Sequence, residues 1–208
     1  MKILVADDHA IVRRGIKQII LEEFPFAETA EAADSEELVK KAFTGQWDVI
    51  ITDLSMPGRS GLDALQQIKQ QLPKVPVLIL SMHPEEQYAI RVLKAGASGY
   101  ISKDMAQDEL VAALRRVMAG KKYITPSLAE KLATQLEHDG GGLPHETLSN
   151  REFDVLKLLA GGKSVSEIAD MLSLSSTTIS TYRARILEKM NMRTNAELTR
   201  YALENKLI

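Results

Sequence analysis

The chain has 208 residues, enough for one full domain core and a smaller second one, with 26% charged residues and the apolar content of an ordinary globular protein. Its longest apolar run, Val75 to Leu80, has six residues, against roughly 18 for a membrane span; Asp7 interrupts any signal-peptide core and Cys is absent, so a membrane span and a disulfide scaffold are excluded and a cytoplasmic location is expected. The net charge of −2 divides into −3 over residues 1–120, with 14 Lys and Arg against 17 Asp and Glu, and +1 over residues 121–208, with 12 against 11, so any nucleic-acid contact must come from a local patch, not from bulk charge.

Strand-like and helix-like segments alternate through residues 1–120. Ile3-Leu4-Val5-Ala6 reads as a strand, and Ile11 to Glu22 as a helix with Val12, Ile16, Ile19 and Ile20 on one face. Phe26 to Ala32 predicts a second strand, Ser35 to Phe43 a helix, and the β-branched run Val49 to Thr52 a third strand, closed by the turn formers Pro57 and Gly58. Gly61 to Gln71 is helical, Val77 to Leu80 a fourth strand, Glu85 to Ala95 helical, Gly99 to Ile101 a fifth strand, and Gln107 to Ala119 a helix. Five such units predict an α/β fold with a doubly wound, five-stranded parallel sheet and right-handed crossovers.

The residues that follow the strands carry chemistry. Asp7-Asp8 follow the first, Asp53 ends the third, Ser81 ends the fourth, and the fifth runs into Ser102-Lys103. Taken alone, Asp53 reads equally as a helix cap or a solvated loop residue. In a parallel sheet, however, all carboxyl ends share one edge, where ligands bind. Three acids gathered there repel one another unless a cation joins them, and a set of hard oxygen ligands selects Mg²⁺. Lys103 adds a single positive point charge suited to an anionic oxygen such as phosphate.

With Asp7-Asp8, Asp53, Met56-Pro57-Gly58, Ser81, Ala95-Gly96-Ala97-Ser98-Gly99-Tyr100 and Lys103 in place, residues 1–120 resemble a bacterial two-component receiver domain, which has a flavodoxin-like fold. The resemblance implies that Asp53 accepts a phosphoryl group and that Asp7, Asp8, Asp53 and the Ser55 backbone carbonyl hold Mg²⁺. It further implies that Ser81 and Lys103 contact phosphoryl oxygens and that Tyr100 is the aromatic that reports the switch. Many receivers carry Pro after the lysine, where this chain has Asp104, which leaves the isomer of the Lys103–Asp104 bond open. Where a small residue often follows the switch hydroxyl, Met82 and then His83 stand here. These side chains are candidates to shield an acyl phosphate or dock a partner, although a rim histidine is expected to be merely solvated.

Residues 121–146 are expected to form a linker. Tyr123 to Glu137 keeps a helical pattern with Leu128, Leu132 and Leu136 on one stripe after a Thr125-Pro126 start, leaving open whether that stripe packs on the receiver or on another subunit. His138-Asp139-Gly140-Gly141-Gly142-Leu143-Pro144-His145 reads as a flexible hinge, its two histidines solvated.

Residues 147–208 predict four short helices. Ser149 with Glu152 and Ser164 with Glu167 form capping boxes that open the first two, Gly161-Gly162 ends the first, and Ser176 to Asn191 and Asn195 to Glu204 follow. The short turn between the second and third has helix-turn-helix spacing. Projecting the third helix at about 100° per residue puts Ile179, Ile186, Leu187 and Met190 on the core side and Thr177, Ser180, Thr181 and Ala184 outward. Arg183, Arg185, Lys189 and Arg193 against Glu188 give Ser176 to Arg193 a local balance of +3. Arg183 falls near the core face and predicts a partly buried pair with Glu152 or Glu167. In the last helix, Leu198, Tyr201, Ala202 and Leu207 form a candidate dimer surface.

Leu148-Ser149-Asn150-Arg151-Glu152, Leu158-Leu159-Ala160-Gly161-Gly162, Glu167-Ile168-Ala169 and Ser175-Ser176-Thr177-Thr178-Ile179 resemble the LuxR-type DNA-binding domain, so the whole chain resembles a NarL/FixJ-class response regulator. The resemblance implies Thr177, Ser180, Thr181 and Ala184 on the DNA-facing side, with Arg185 and Lys189 towards phosphates. The commoner family pattern has Lys then His in that helix, where this chain has Ser180 and Tyr182. Small outward residues shift recognition towards thymine methyls, water and DNA shape. A cognate sensor histidine kinase, promoter DNA with palindromic or repeated half-sites, and a homodimer when active are the expected partners. An enzyme reading, a phosphatase or phosphotransferase on the acidic edge, is disfavoured because Ser55 occupies the place where haloacid-dehalogenase-like phosphatases put a second Asp as general acid. A receiver acting by protein contact alone is the third reading.

Overall fold

The computed structural model describes residues 1–56, 61–137 and 143–208, with the backbone alone for 134–137 and 150. Pro57 and Gly58 of the expected turn, the glycines of the expected hinge with His138, and the Leu136 side chain lie outside that description. The chain divides into two compact units, Met1–Glu137 and His138–Ile208.

In the first unit β1 (Lys2–Ala6), β2 (Glu28–Ala32), β3 (Val49–Asp53), β4 (Val77–Ser81) and β5 (Gly99–Ser102) form one parallel sheet in the order β2-β1-β3-β4-β5. Ile3, Val5, Val49, Ile51, Leu78, Leu80 and Ile101 bury one face under α1 (Ala10–Glu23) and α5 (Ala106–Met118), using Ile16, Ile20, Leu110, Leu114 and Val117. The alternate residues Leu4, Ile50 and Ile79 are equally buried and point to the other face, where α2 (Ser35–Thr44) packs beside α3 (Gly61–Gln71). The central strands are wholly buried, as their continuous apolar runs require. Edge strand β2 is polar and begins later than the sequence pattern predicts, because Phe26 sits in the preceding turn, 95% exposed. Asp34 opens α2 by accepting hydrogen bonds from the Glu36 and Glu37 amides.

Helix α4 (Glu85–Lys94) covers β5, and α6 (Pro126–Glu137) packs on α4. Helix α6 starts at Pro126, where Thr125-Pro126 marks a helix start in the sequence. Pro126 takes the first helical position and disfavours helical backbone before it, so Tyr123 is free to pair with Gly99 as a short extension of the sheet. Thr125 accepts from the Leu128 amide and donates to Glu85 Oε1 at 2.7 Å, while Leu128 is 1% exposed. The leucine stripe therefore belongs, at least through Leu128, to the first unit.

The second unit is all helical: α7 (Asn150–Ala160), α8 (Val165–Leu172), α9 (Ser176–Lys189) and α10 (Asn195–Glu204). Both predicted capping boxes form, and Gly162 at φ +84 lets the Lys163 amide reach back to the Leu158 carbonyl. Phe153, Val155, Leu156, Ile168, Ile179 and Ile186 make the core. Leu198, Ala202 and Leu207, expected on a dimer surface, are buried within the unit because α10 packs on α7. Tyr201 is half-buried, its hydroxyl 2.8 Å from His145 Nδ1, so His145 is a packed residue and not a solvated one. An apolar stripe shows that a face is covered; here its own domain covers it.

Gly61 has a consequence for stability. A Cβ there would lie 2.2 Å from the Asp53 carbonyl oxygen and 2.9 Å from Leu54 Cα, both backbone atoms that cannot swing away. We expect Gly61→Ala to cost about 1–3 kcal/mol, read as a lowered melting temperature with a disturbed Asp53 environment; an unchanged melting temperature would contradict this packing.

Candidate phosphoacceptor site and nucleic-acid interface

Register assembles the site. Ala6 lies opposite Thr52, so Asp7 follows β1 beside Asp53; Asp53 lies opposite Leu80, and Ser81 opposite Ser102. The strand order reverses between β1 and β3, the position where a crevice opens in doubly wound sheets. Asp7, Asp8, Asp53, Ser81 and Lys103, found separately in the sequence, thus share one edge.

Lys103 Nζ stands 2.7 Å from Asp7 Oδ2 and 2.8 Å from Asp53 Oδ2. Asp7 is 1% exposed and Asp53 4%. Burial raises the Asp53 carboxyl above its ordinary range, against the Lys103 hydrogen bond and charge, and the Asp7 charge adds to the rise. Burial works against the Lys103 ammonium, but its hydrogen bond to Asp53 and its ion pair with Asp7 prevail and hold it above its usual value. Asp7 Oδ1 accepts from the His9 amide at 2.8 Å, and Asp53 Oδ1 from the Ser55 amide at 3.2 Å.

Asp7 Oδ2 and Asp8 Oδ1 are buried oxygens that accept no aligned hydrogen bond, although Lys103 and His9 stand in ion-pair range. Oxygens of Asp7 and Asp8 and a ring nitrogen of His9 come within 4.8 Å of one another. Under-coordinated carboxylate oxygens beside Asp53 form a hard donor set, which fits Mg²⁺.

Ser81 is fully buried and its Oγ accepts from the His83 amide at 3.1 Å. Tyr100, 1% exposed, donates its hydroxyl to the His83 carbonyl at 2.6 Å, and burial pushes its phenol up to about 12. His83 is therefore no solvated rim residue. Its Nε2 lies 2.8 Å from Ser55 Oγ and its ring stacks on Tyr88 at 4.5 Å, bridging the loops after β3 and β4. Met82 is 65% exposed. The Lys103–Asp104 peptide is trans, as are all described bonds. Sequence reasoning also passed over Arg13, whose Nη1 donates to the Asp7 carbonyl at 2.7 Å while its Nε donates to Glu31 at 2.9 Å. The only signal was an acid on a polar edge strand, which acquires meaning once β2 is set beside β1.

On α9, Thr177, Ser180, Thr181, Ala184 and Arg185 are exposed, as the helical projection predicts. Ser175 caps the helix by accepting from the Thr178 amide, and Ser173 at φ +53 makes the tight turn from α8. The two remaining cations correct the projection. Lys189 Nζ lies 2.6 Å from Glu152 Oε2, paired with an almost completely buried acid, while Arg185 is exposed. Arg183 is half-buried, but its Nε donates to the Asn195 side-chain oxygen at 2.7 Å and not to Glu152 or Glu167. A projection fixes the side of the helix; the start of α10 lies on that side, a neighbour the projection does not contain.

Burial pushes the Glu152 carboxyl up, but the bonds from Lys189 and the Ser149 amide outweigh it and leave it below its ordinary value of 4.5. A depressed carboxylate contributes stability above its unfolded value and loses it as pH falls through the folded one. The second unit should thus soften below about pH 4.5. In Lys189→Met the loss should be present already at neutral pH, about 1–3 kcal/mol, read by thermal melting. Arg183→Ala should likewise lower the melting temperature; lower DNA affinity without that change would show Arg183 to be a DNA contact instead.

Residues 3–115 match the family model of the response regulator receiver domain, and residues 146–202 that of bacterial regulatory proteins of the luxR family. Oxygen regulatory protein NreC of Staphylococcus carnosus (strain TM300) is 38% identical over all of this chain and 99% of its own length. Response regulator UvrY of Escherichia coli (strain K12) is 36% identical over all of this chain and 95% of its own. Among solved structures, RcsB from Salmonella enterica serovar Typhimurium, bound to promoter rprA in the presence of phosphomimetic BeF3-, superposes with a TM-score of 0.65 at 31% identity, covering 97% of this chain and 98% of that one. The receiver edge and the helix-turn-helix unit thus occur together in one described lineage, and this chain belongs to the response regulators that join a receiver domain to a LuxR-type DNA-binding domain.

Proposed function

We propose that this protein is a phosphorylation-gated transcription regulator in which Asp53 accepts a phosphoryl group from a sensor histidine kinase. The observation that carries the reading is the buried Lys103 ammonium held between Asp7 and Asp53 at the mouth of the sheet. The Asp53 carboxylate attacks the phosphorus of a phosphohistidine; the P–N bond breaks, its electrons return to the imidazole, and an acyl phosphate forms. Asp7, Asp8, Asp53 and the Ser55 backbone carbonyl would hold Mg²⁺, which when bound neutralises charge on the transferring oxygens. Lys103 neutralises one further oxygen from the side. Ser81 keeps its hydroxyl proton available, since its oxygen accepts from the His83 amide, and can donate it to the phosphoryl group. That demand competes with the present bonding around His83, and Tyr100 lies where it registers the change.

Ser55 stands two residues after Asp53, where no general acid is then available, so Asp53 is modified without turnover of an external substrate. The second unit binds double-stranded DNA through α9, with Thr177, Ser180, Thr181 and Ala184 near base edges and Arg185 on a phosphate. RcsB has been solved as two dimers on two parallel DNAs; a dimer reading palindromic or repeated half-sites is the matching arrangement here. No helix among the described residues is long and apolar enough to cross a membrane, consistent with work in the cytoplasm.

The test is a DNA titration with and without a phosphoryl donor and Mg²⁺, for wild type and Asp53→Ala. Wild type should bind at least about tenfold tighter when phosphorylated, a coupling within the usual allosteric range, and Asp53→Ala should not respond; equal affinity in all four arms refutes gating. Arg185→Ala should weaken binding across sequences and lower the salt slope by about one; an unchanged slope removes Arg185 from the interface.

A further inference from the structure

At the edge of the sheet opposite Asp53, where β4 and β5 begin, a cleft of about 420 Å³ is lined by Lys69, Lys74, Lys121, Lys122, Gly96 and Ser98. That volume falls in the range of small-ligand sites, about 300–1,000 Å³. It concentrates four cations on a unit, Met1–Glu137, that is net −2. None of the four lysines has a carboxylate partner among the described residues. Lys69 Nζ donates to the Pro73 and Val75 carbonyls at 3.1 and 2.7 Å. Burial, and then the charge of Lys122, hold its ammonium below the usual lysine range. The ends of α3 and α5 offset part of the charge, but each helix terminus supplies only about half a unit, too little for four ammoniums.

The cleft is also fixed before any ligand arrives. Arg116 Nε donates to the Lys122 carbonyl at 2.8 Å, the Tyr123 amide donates to the Ser98 carbonyl at 2.7 Å, and a Cβ at Gly96, whose φ is +101, would lie 3.2 Å from Lys69 Cγ. The lining chemistry selects the ligand. Every cation in it is Lys, a point charge that suits oxygens spread along a chain, and none is Arg, whose fork matches a planar carboxylate. No aromatic ring lines it, so nothing there would stack a nucleobase.

We propose that this cleft binds a short polyphosphate chain, free or as the tail of a nucleotide, through the ammoniums of Lys69, Lys74, Lys121 and Lys122. The site is separate from the phosphoacceptor edge and independent of the reading given above.

Calorimetric titration of the full chain with chelator and no Mg²⁺ tests it, using tripolyphosphate, adenosine triphosphate and orthophosphate at near-physiological salt. Tripolyphosphate should bind saturably at one per chain. The Lys74→Ala/Lys121→Ala/Lys122→Ala variant, exposed positions all, should bind at least about tenfold more weakly with an unchanged melting temperature. Asp53→Asn and Arg185→Ala should bind like wild type. Adenosine triphosphate binding as well as tripolyphosphate supports a nucleotide tail; failure of adenosine triphosphate alone supports a free chain. The proposal is overturned by no saturable binding of tripolyphosphate, by orthophosphate binding equally well, by full retention in the triple variant, or by loss in Arg185→Ala, which would mean capture by the DNA-binding helix, or in Asp53→Asn.

Discussion

The structure of the first domain depends on one ammonium. Asp7 and Asp53 are both almost completely withdrawn from water, and adjacent strands hold them side by side. Two carboxylates so placed cannot both stay charged without a cation between them, and Lys103 is that cation. Its position is set by the start of a short 3-10 turn at Lys103–Met105 directly after β5. The pairing of β4 with β5 then decides how far along the edge the ammonium reaches. Breaking a buried pair by removing one partner leaves an uncompensated charge, so fold and site stand on the same contact. Arg13 serves that contact from behind by bonding the Asp7 carbonyl and Glu31 together.

How much of this was legible follows from which signals are local. Apolar runs, their lengths and the residues at their ends are local, and they located every strand and every acid of the site. Helix α3 and the two capping boxes were legible for the same reason: a cap is a rule about residues three apart. The start of α6 at Pro126 was legible too, because proline favours the first helical position and the backbone before it resists helix. Arg183 and Leu198 were misread together, and for one reason. Periodicity assigns a side chain to a face, but its partner is decided by which element the topology lays against that face.

The second domain illustrates the cost of committing cations to structure. Glu152 is 2% exposed and serves twice, closing the capping box of α7 and accepting Lys189. The α9 surface facing solvent carries hydroxyls, one methyl group, Arg185, Glu188 and the partly exposed Lys189, which Glu152 pairs. On the proposed reading such a surface would make few ionic contacts to phosphates, so its affinity for one half-site would depend less on salt than that of a richly basic helix. Two domains acting in tandem would raise it by effective concentration alone, without any new contact.

The loop after β4 joins these arguments. His83 makes three separate bonds within it: its amide to Ser81, its carbonyl to Tyr100 and its ring to Ser55. Ser81 would face the phosphoryl group, Tyr100 fills the interior under α4, and Ser55 borders Asp53. Two residues beyond His83, Glu85 accepts the Thr125 hydroxyl at the start of α6. Phosphorylation that redirects the Ser81 hydroxyl therefore acts on a loop already tied at both ends, one end at the acid and the other at the helix that leads out of the domain. Packed interiors respond to such a demand by changing between discrete arrangements, not by bending slightly. On the proposed reading, the His83 contacts would carry a change of charge at Asp53 through the loop to α4 and α6.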